Sequence, residues 1–100
     1  MMNVSIINPI KEYLKTQPVE RAWVFGSFSR GEERSDSDID LLVEYDRKNQ
    51  HVGLFTIINI KQQLQQLVGR EIDLVENGTL MSFAQKSAEK DKILIYERAN

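Results

Sequence analysis

The chain has no cysteine, two prolines, five glycines, one tryptophan and one histidine among its 100 residues. Without cysteine there are no disulfides and no thiolate metal sites, which fits a reducing compartment. Any metal ion must then rest on oxygen ligands or on His51. No apolar run approaches the roughly 18 residues of a membrane-spanning helix, and Met1-Met2-Asn3-Val4 lacks the basic and apolar regions of a signal peptide. A cytoplasmic protein away from membranes is expected. Charge of either sign is also scarce in excess: 13 Lys and Arg against 15 Asp and Glu give a formal −2. That balance lacks the dense basic surface that grips duplex DNA through counterion release. The 41% apolar content is that of an ordinary globular domain. A chain of this size buries only about 60 to 70% of its unfolded surface. We therefore expect one domain over residues 1–100, with no second domain to hold a substrate.

The hydrophobic pattern predicts an α/β (α+β) domain, a small mixed β-sheet flanked by helices. Asn8 and Pro9 read as N-cap and first helical residue of a segment reaching Thr16, with Ile10, Tyr13 and Leu14 at helical spacing. Arg21-Ala22-Trp23-Val24-Phe25 is β-prone and stops at Gly26. A short helix is expected from Ser27 to about Glu32. In Asp38 to Tyr45 the period-2 alternation puts Asp38, Asp40, Leu42 and Glu44 on one face and Ile39, Leu41, Val43 and Tyr45 on the other. Asp46 to Gln50 reads as a polar loop. Leu54, Ile57, Ile58, Lys61, Leu64 and Leu67-Val68 trace a long amphipathic helix ended by Gly69. Arg70 to Val75 repeats the strand alternation, with Glu71, Asp73 and Val75 on one face. Thr79 caps an expected helix through Leu80, Phe83, Ala84 and Ala88, and Lys92 to Glu97 forms a last strand or extended tail.

The chemistry concentrates in two motifs. Gly26 allows close approach of the backbone to a phosphate. Ser27 offers a hydroxyl and an amide at a helix start, where unpaired N–H groups favour anions. Arg30, one turn along, presents a planar fork suited to a phosphate. Asp38 and Asp40 aim the same way from one strand, and Asp73 can join them if its strand is a neighbour. Three carboxylates beside a phosphate-suited turn are the donor set that Mg²⁺ accepts together with water and substrate phosphates.

Gly26-Ser27, the spacer to Asp38-Ile39-Asp40, and a third carboxylate on a later strand resemble the nucleotidyltransferase superfamily of DNA polymerase beta. The shortness of the chain makes it most similar to the minimal nucleotidyltransferases of bacteria and archaea, often the antitoxin partner of a HEPN-domain toxin. The resemblance implies a polymerase-beta-like palm and two Mg²⁺ ions bound by Asp38, Asp40 and Asp73. It also implies that Gly26, Ser27 and Arg30 hold the triphosphate of a substrate such as ATP. Asp73, near the acceptor hydroxyl and the second ion, would help to deprotonate it. AMP, or another NMP, would pass to a hydroxyl on a HEPN-type partner. A homo-oligomer is compatible with this reading.

A non-catalytic module that neutralises its partner by contact alone is the competing reading, and the full set of Ser27, Arg30, Asp38, Asp40 and Asp73 argues for the enzyme instead. An antibiotic-modifying nucleotidyltransferase would call for an additional acceptor-holding domain. Other polar residues read as structural. Asp36 is a solvated or capping residue, Glu71 a solvated ion-pair member, His51 exposed or structural, and Glu32, Glu33 and Arg34 a solvent-facing loop. Trp23 and Phe25 are expected in the core, as are Leu54, Ile57, Ile58 and Leu64, although an apolar excess on that helix would also suit a partner surface.

Overall fold

A computed structural model describes residues 4–26, 38–48, 51–77 and 92–98. Its elements run α1 (Val4–Leu14), β1 (Val19–Phe25), β2 (Ile39–Tyr45), α2 (Leu54–Val68), β3 (Ile72–Glu76) and β4 (Ile93–Glu97). The four strands form one sheet in the order β3-β2-β1-β4. β1 pairs antiparallel with both β2 and β4, whereas β2 and β3 are parallel. The sheet is thus mixed and the domain α+β. The expected helices around Ser27 to Glu32 and Thr79 to Ala88 lie outside the described residues.

A parallel neighbour requires a crossover rather than a tight turn, and α2 supplies it between β2 and β3. Both described helices pack on one face of the sheet. Ile7, Ile10 and Leu14 of α1 and Ile60 and Leu64 of α2 form a continuous buried cluster with Ala22, Val24, Ile39, Leu41, Val43 and Ile72. Those strand residues occupy the apolar parity of the alternation, so the 2-residue and 3.6-residue periods meet in one core. α2 ends as its sequence requires. Gly69 adopts the left-handed region at φ 69° and donates its N–H to the Gln65 carbonyl.

Several expectations are corrected. α1 begins at Val4 rather than Pro9, and Pro9 lies inside it. Burial of Ile7 beside Ile10 draws the first turn into the helix and outweighs the lost proline N–H. Leu54 (70% exposed), Phe55 (86%) and Ile58 lie outside the core, because the crossover turns Ile60 and Leu64 inward instead. Trp23 and Phe25 are half-buried on the sheet face opposite the helices. Asp46, expected in a polar loop, is only 3% exposed. Its Oδ2 accepts from Arg98 Nη1 at 2.8 Å, while Arg98 Nη2 and backbone N–H reach the carbonyls of Gln17 and Glu20. A second guanidinium, that of Arg47, clamps Glu76 through two 2.8 Å bonds and donates to the Val52 carbonyl, tying the ends of β2 and β3 to the start of α2.

The Arg98 contacts join the ends of three strands around a buried carboxylate. Removing one partner of such a pair leaves a desolvated charge, so Arg98→Ala should destabilise the protein by about 3 kcal/mol. Chemical denaturation measures this. A loss below about 0.5 kcal/mol, as for an ordinary surface site, would contradict it.

Candidate active site

The sheet face opposite the helices is ordered in three transverse rows, set by strand register. Asp40 of β2 is paired with Asp73 of β3 on one side and with Phe25 of β1 on the other. Two residues along, Leu42 is paired with Val75 and with Trp23, and Trp23 in turn with Leu94. Two residues further, Glu44 is paired with Arg21, and Arg21 with Glu97. An acidic row, an apolar row and an ion-paired row therefore follow one another across the same surface. In the last row Arg21 donates to Glu44 at 2.6 Å and to Glu97 at 2.8 Å.

The parallel register is what converts two separate sequence motifs into one cluster. The Ile39 N–H donates to the Glu71 carbonyl at 3.0 Å, and from that bond the ladder carries Asp40 alongside Asp73. Asp38 enters the same strand from its first exposed position, and Asp73 is exposed while Asp40 is half-buried. Burial pushes the Asp40 carboxyl above its ordinary range, and the charges of Asp73 and Asp38 raise it further. Asp40 thus feels the charge of both other carboxylates. Among the described residues, no three acidic, imidazole or thiolate groups converge as a ready-made metal cage. A donor set of this kind suits a hard cation such as Mg²⁺, which takes one or two protein carboxylates and fills its remaining positions with water and phosphate oxygens.

Gly26 follows β1 directly and has φ 71°. A Cβ built on it would lie 2.5 Å from Asp40 Oδ2. Glycine here satisfies two demands: the left-handed turn at the strand end and close approach of backbone to the acidic row. Ser27 and Arg30, the other expected phosphate contacts, lie outside the described residues, as does Asp36. Glu71 is exposed, as expected, and contributes its carbonyl to the ladder. His51 is exposed ahead of α2.

The residue that sequence reasoning overlooked on this face is Lys92. Its Nζ lies 4.7 Å from the centroid of the Trp23 ring. Counting back by two from Leu94 gives its parity, but only the β1–β4 register shows which face that parity serves. Concavities among the described residues include a groove of about 360 Å³ between α1 and β4 and a smaller one beside Arg21 and Arg98. Neither includes the acidic row.

Comparison with known proteins bears on this arrangement. Residues 8–100 match the family described as Polymerase beta, Nucleotidyltransferase. The chain is 32% identical over 92 residues to the protein adenylyltransferase MntA of Thermococcus cleftensis, covering 91% of this chain and 90% of that protein. Among solved structures it resembles a toxin-antitoxin complex with AMP-PNP, at TM-score 0.75 and 19% identity over 92% of this chain and 73% of the other. It also resembles a chain from the complex of tri-AMPylated Shewanella oneidensis HEPN toxin with MNT antitoxin, at TM-score 0.71 and 17% identity, covering 97% and 74%. These two likenesses are of fold. Among the described residues, no helix is long and apolar enough to cross a membrane.

Two outcomes follow from the geometry. Gly26→Ala places a methyl group against Asp40 in a backbone region that costs an L-residue about 1–2 kcal/mol. It should lower the melting temperature and displace Asp40, abolishing Mg²⁺-dependent thermal stabilisation by nucleotide. An unchanged Mg²⁺ and nucleotide response would contradict the assigned contact. Asp40→Asn acts in the opposite direction on stability. A carboxyl whose folded pKa exceeds its unfolded value costs nothing while both forms are protonated, and carries its full cost once pH passes the folded value. The variant should therefore melt higher than wild type at pH 7 without metal, and the advantage should shrink as pH falls through the carboxylate range. A pH-independent difference would count against this origin.

Proposed function

Because the chain belongs to the polymerase beta nucleotidyltransferase family, we propose that it transfers AMP from ATP to a hydroxyl group on a HEPN-type protein partner and so acts as an antitoxin. The observation that carries this reading is the in-register pairing of Asp40 with Asp73, with Gly26 closed against Asp40. The protein adenylyltransferase name of the Thermococcus relative supports the donor and the protein acceptor, and the HEPN toxin complex supports the partner class. The exposed apolar start of α2, Leu54-Phe55 with Ile58, suits a macromolecular acceptor.

Asp38, Asp40 and Asp73 would hold two Mg²⁺ ions. When bound, such ions neutralise charge on the reacting phosphate and on pyrophosphate as it leaves. The chain's own groups do the rest. Gly26 lets the phosphates approach the strand end, where Ser27 and Arg30 are assigned to the triphosphate. The acceptor oxygen attacks the α-phosphorus, the bond to the α–β bridging oxygen breaks, and its electron pair leaves with pyrophosphate. Asp73, exposed at the sheet edge, takes the hydroxyl proton. The charge relief expected of Asp40 when cations bind makes the repulsion in the empty site part of the driving force for binding.

Co-expression with the cognate HEPN-type protein, followed by mass spectrometry of the partner, tests this. The partner should gain one or more AMP groups. The double variant Asp38→Asn/Asp40→Asn should lose about a thousandfold in rate or more, the equivalent of the several kcal/mol supplied by such ions. An unmodified partner that is still neutralised by the double variant would replace the enzyme with a module acting by contact alone.

A further inference from the structure

We infer that the outer edge of β3 receives the acceptor, as an extended segment of the protein partner that pairs along Ile72 to Leu74 and sets a hydroxyl residue beside Asp73. The inference rests on the transfer reaction proposed above and adds how its acceptor is held. β3 ends the sheet order, and among the described residues no strand pairs with its outer side. Two bonds fix the phase of the ladder on its inner side. The Ile39 N–H donates to the Glu71 carbonyl, and the Asn77 N–H to the Val43 carbonyl. Glu71, Asp73, Val75 and Asn77 therefore turn their backbone groups toward β2, while Ile72, Leu74 and Glu76 turn theirs outward.

One of the outward groups is already taken: the Ile72 N–H donates to the Gln65 side-chain oxygen at 3.2 Å. The Ile72 carbonyl, the Leu74 N–H and the Leu74 carbonyl follow along the edge, with no partner among the described residues. An extended chain meets this acceptor, donor and acceptor with its own backbone. On an added strand of either direction, the residue across from Asp73 shares the face of the acidic row, with its Cβ about 5 Å away. The row then runs from the hydroxyl residue through Asp73 to Asp40, with Gly26 closed against Asp40. That order suits a proton passed to Asp73 and a phosphate held at the Gly26 turn.

Charge decides which kind of segment fits. Glu71 and Asp73 are both exposed and share one parity. A second copy of β3, paired antiparallel about Leu74, would set Asp73 diagonally across from its own copy, about 7–8 Å away, and add a further carboxylate to an acidic row. Charged edges of this kind oppose self-pairing. A partner segment with a basic residue two positions from its hydroxyl residue places that cation beside Glu71 instead. The occupant is therefore an extended, hydroxyl-bearing and locally basic stretch of the protein acceptor.

Hydrogen exchange read amide by amide by NMR tests the edge, in the free protein and in its complex with the cognate HEPN-type protein. In the free protein the Leu74 amide should exchange faster than those of Asp73 and Val75, which the ladder holds. In the complex it should slow by at least about tenfold. Glu71→Lys should raise the KM for the partner about tenfold, equivalent to 1.4 kcal/mol, while ATP affinity measured with Mg²⁺ stays within about twofold. Glu71→Gln should fall between wild type and Glu71→Lys. A Leu74 amide that exchanges equally fast in a complex competent for AMP transfer would overturn the edge assignment alone, as would an unchanged partner KM in Glu71→Lys. A wild-type protein that transfers no AMP to the partner would overturn the transfer reaction itself, and the acceptor edge with it.

Discussion

Asp40 and Asp73 occupy partnered positions on adjacent parallel strands, and a parallel pair can exist only if the chain crosses over between its members. That requirement accounts for α2, for the inward burial of Ile60 and Leu64, and for the apolar parity of β2 and β3. The helix-side core therefore holds two like charges at neighbouring positions, a placement that neither strand would favour alone. Like charges directly opposite one another on a sheet are destabilising. Their persistence here is supported from the other face, where Ile39 and Leu41, the residues flanking Asp40 in β2, are fully buried.

Among the described residues the three-row pattern keeps Arg21 away from this acidity. The Arg21, Glu44 and Glu97 network begins four residues along β2 from Asp40, about 13 Å at a strand's rise per residue. That exceeds a Debye length at physiological salt. Between them Leu42 is fully buried, with Trp23 and Leu94 paired beyond it. Had Arg21 stood one row closer, the carboxylates would have had a resident counter-ion, and a bound cation would have had less to gain. Among the described residues Arg21 is paired with Glu44 and Glu97 at one end of this face, and at the other end the charges of Asp38 and Asp73 bear on Asp40.

The alternation in Asp38 to Tyr45 and in Arg70 to Val75 made the acidic face legible from sequence, because a half-buried strand has only two parities and one of them was apolar. The same logic located β1, α2 and the Gly69 cap. What escaped depended on partners far away in the chain. Asp46 reads as a loop residue until Arg98, fifty-two positions on, is brought to it by β1–β4 pairing. The start of α1 escaped because the Pro9 signal is local, while the burial that overrides it comes from strands and from α2. Leu54, Phe55 and Ile58 match a helical stripe as well as Ile60 and Leu64 do, and only the crossover angle decides which side meets the sheet. The face of Trp23 and its contact with Lys92 are likewise properties of register, not of either segment.

Two features remain that folding alone does not call for: repulsion in the acidic row and an exposed apolar turn at the start of α2. Each is unfavourable in the isolated chain, one electrostatically and the other through hydration of apolar surface. They are also of different kinds, so a single ligand does not relieve both. On the function proposed above, cations with a polyphosphate would relieve the first and the surface of a protein partner the second. Anything that binds the folded chain and not the unfolded one adds stability in proportion to the logarithm of its concentration over its dissociation constant. The fold thus gives up stability at two separate places, and under the proposed function each would recover it from a different kind of partner.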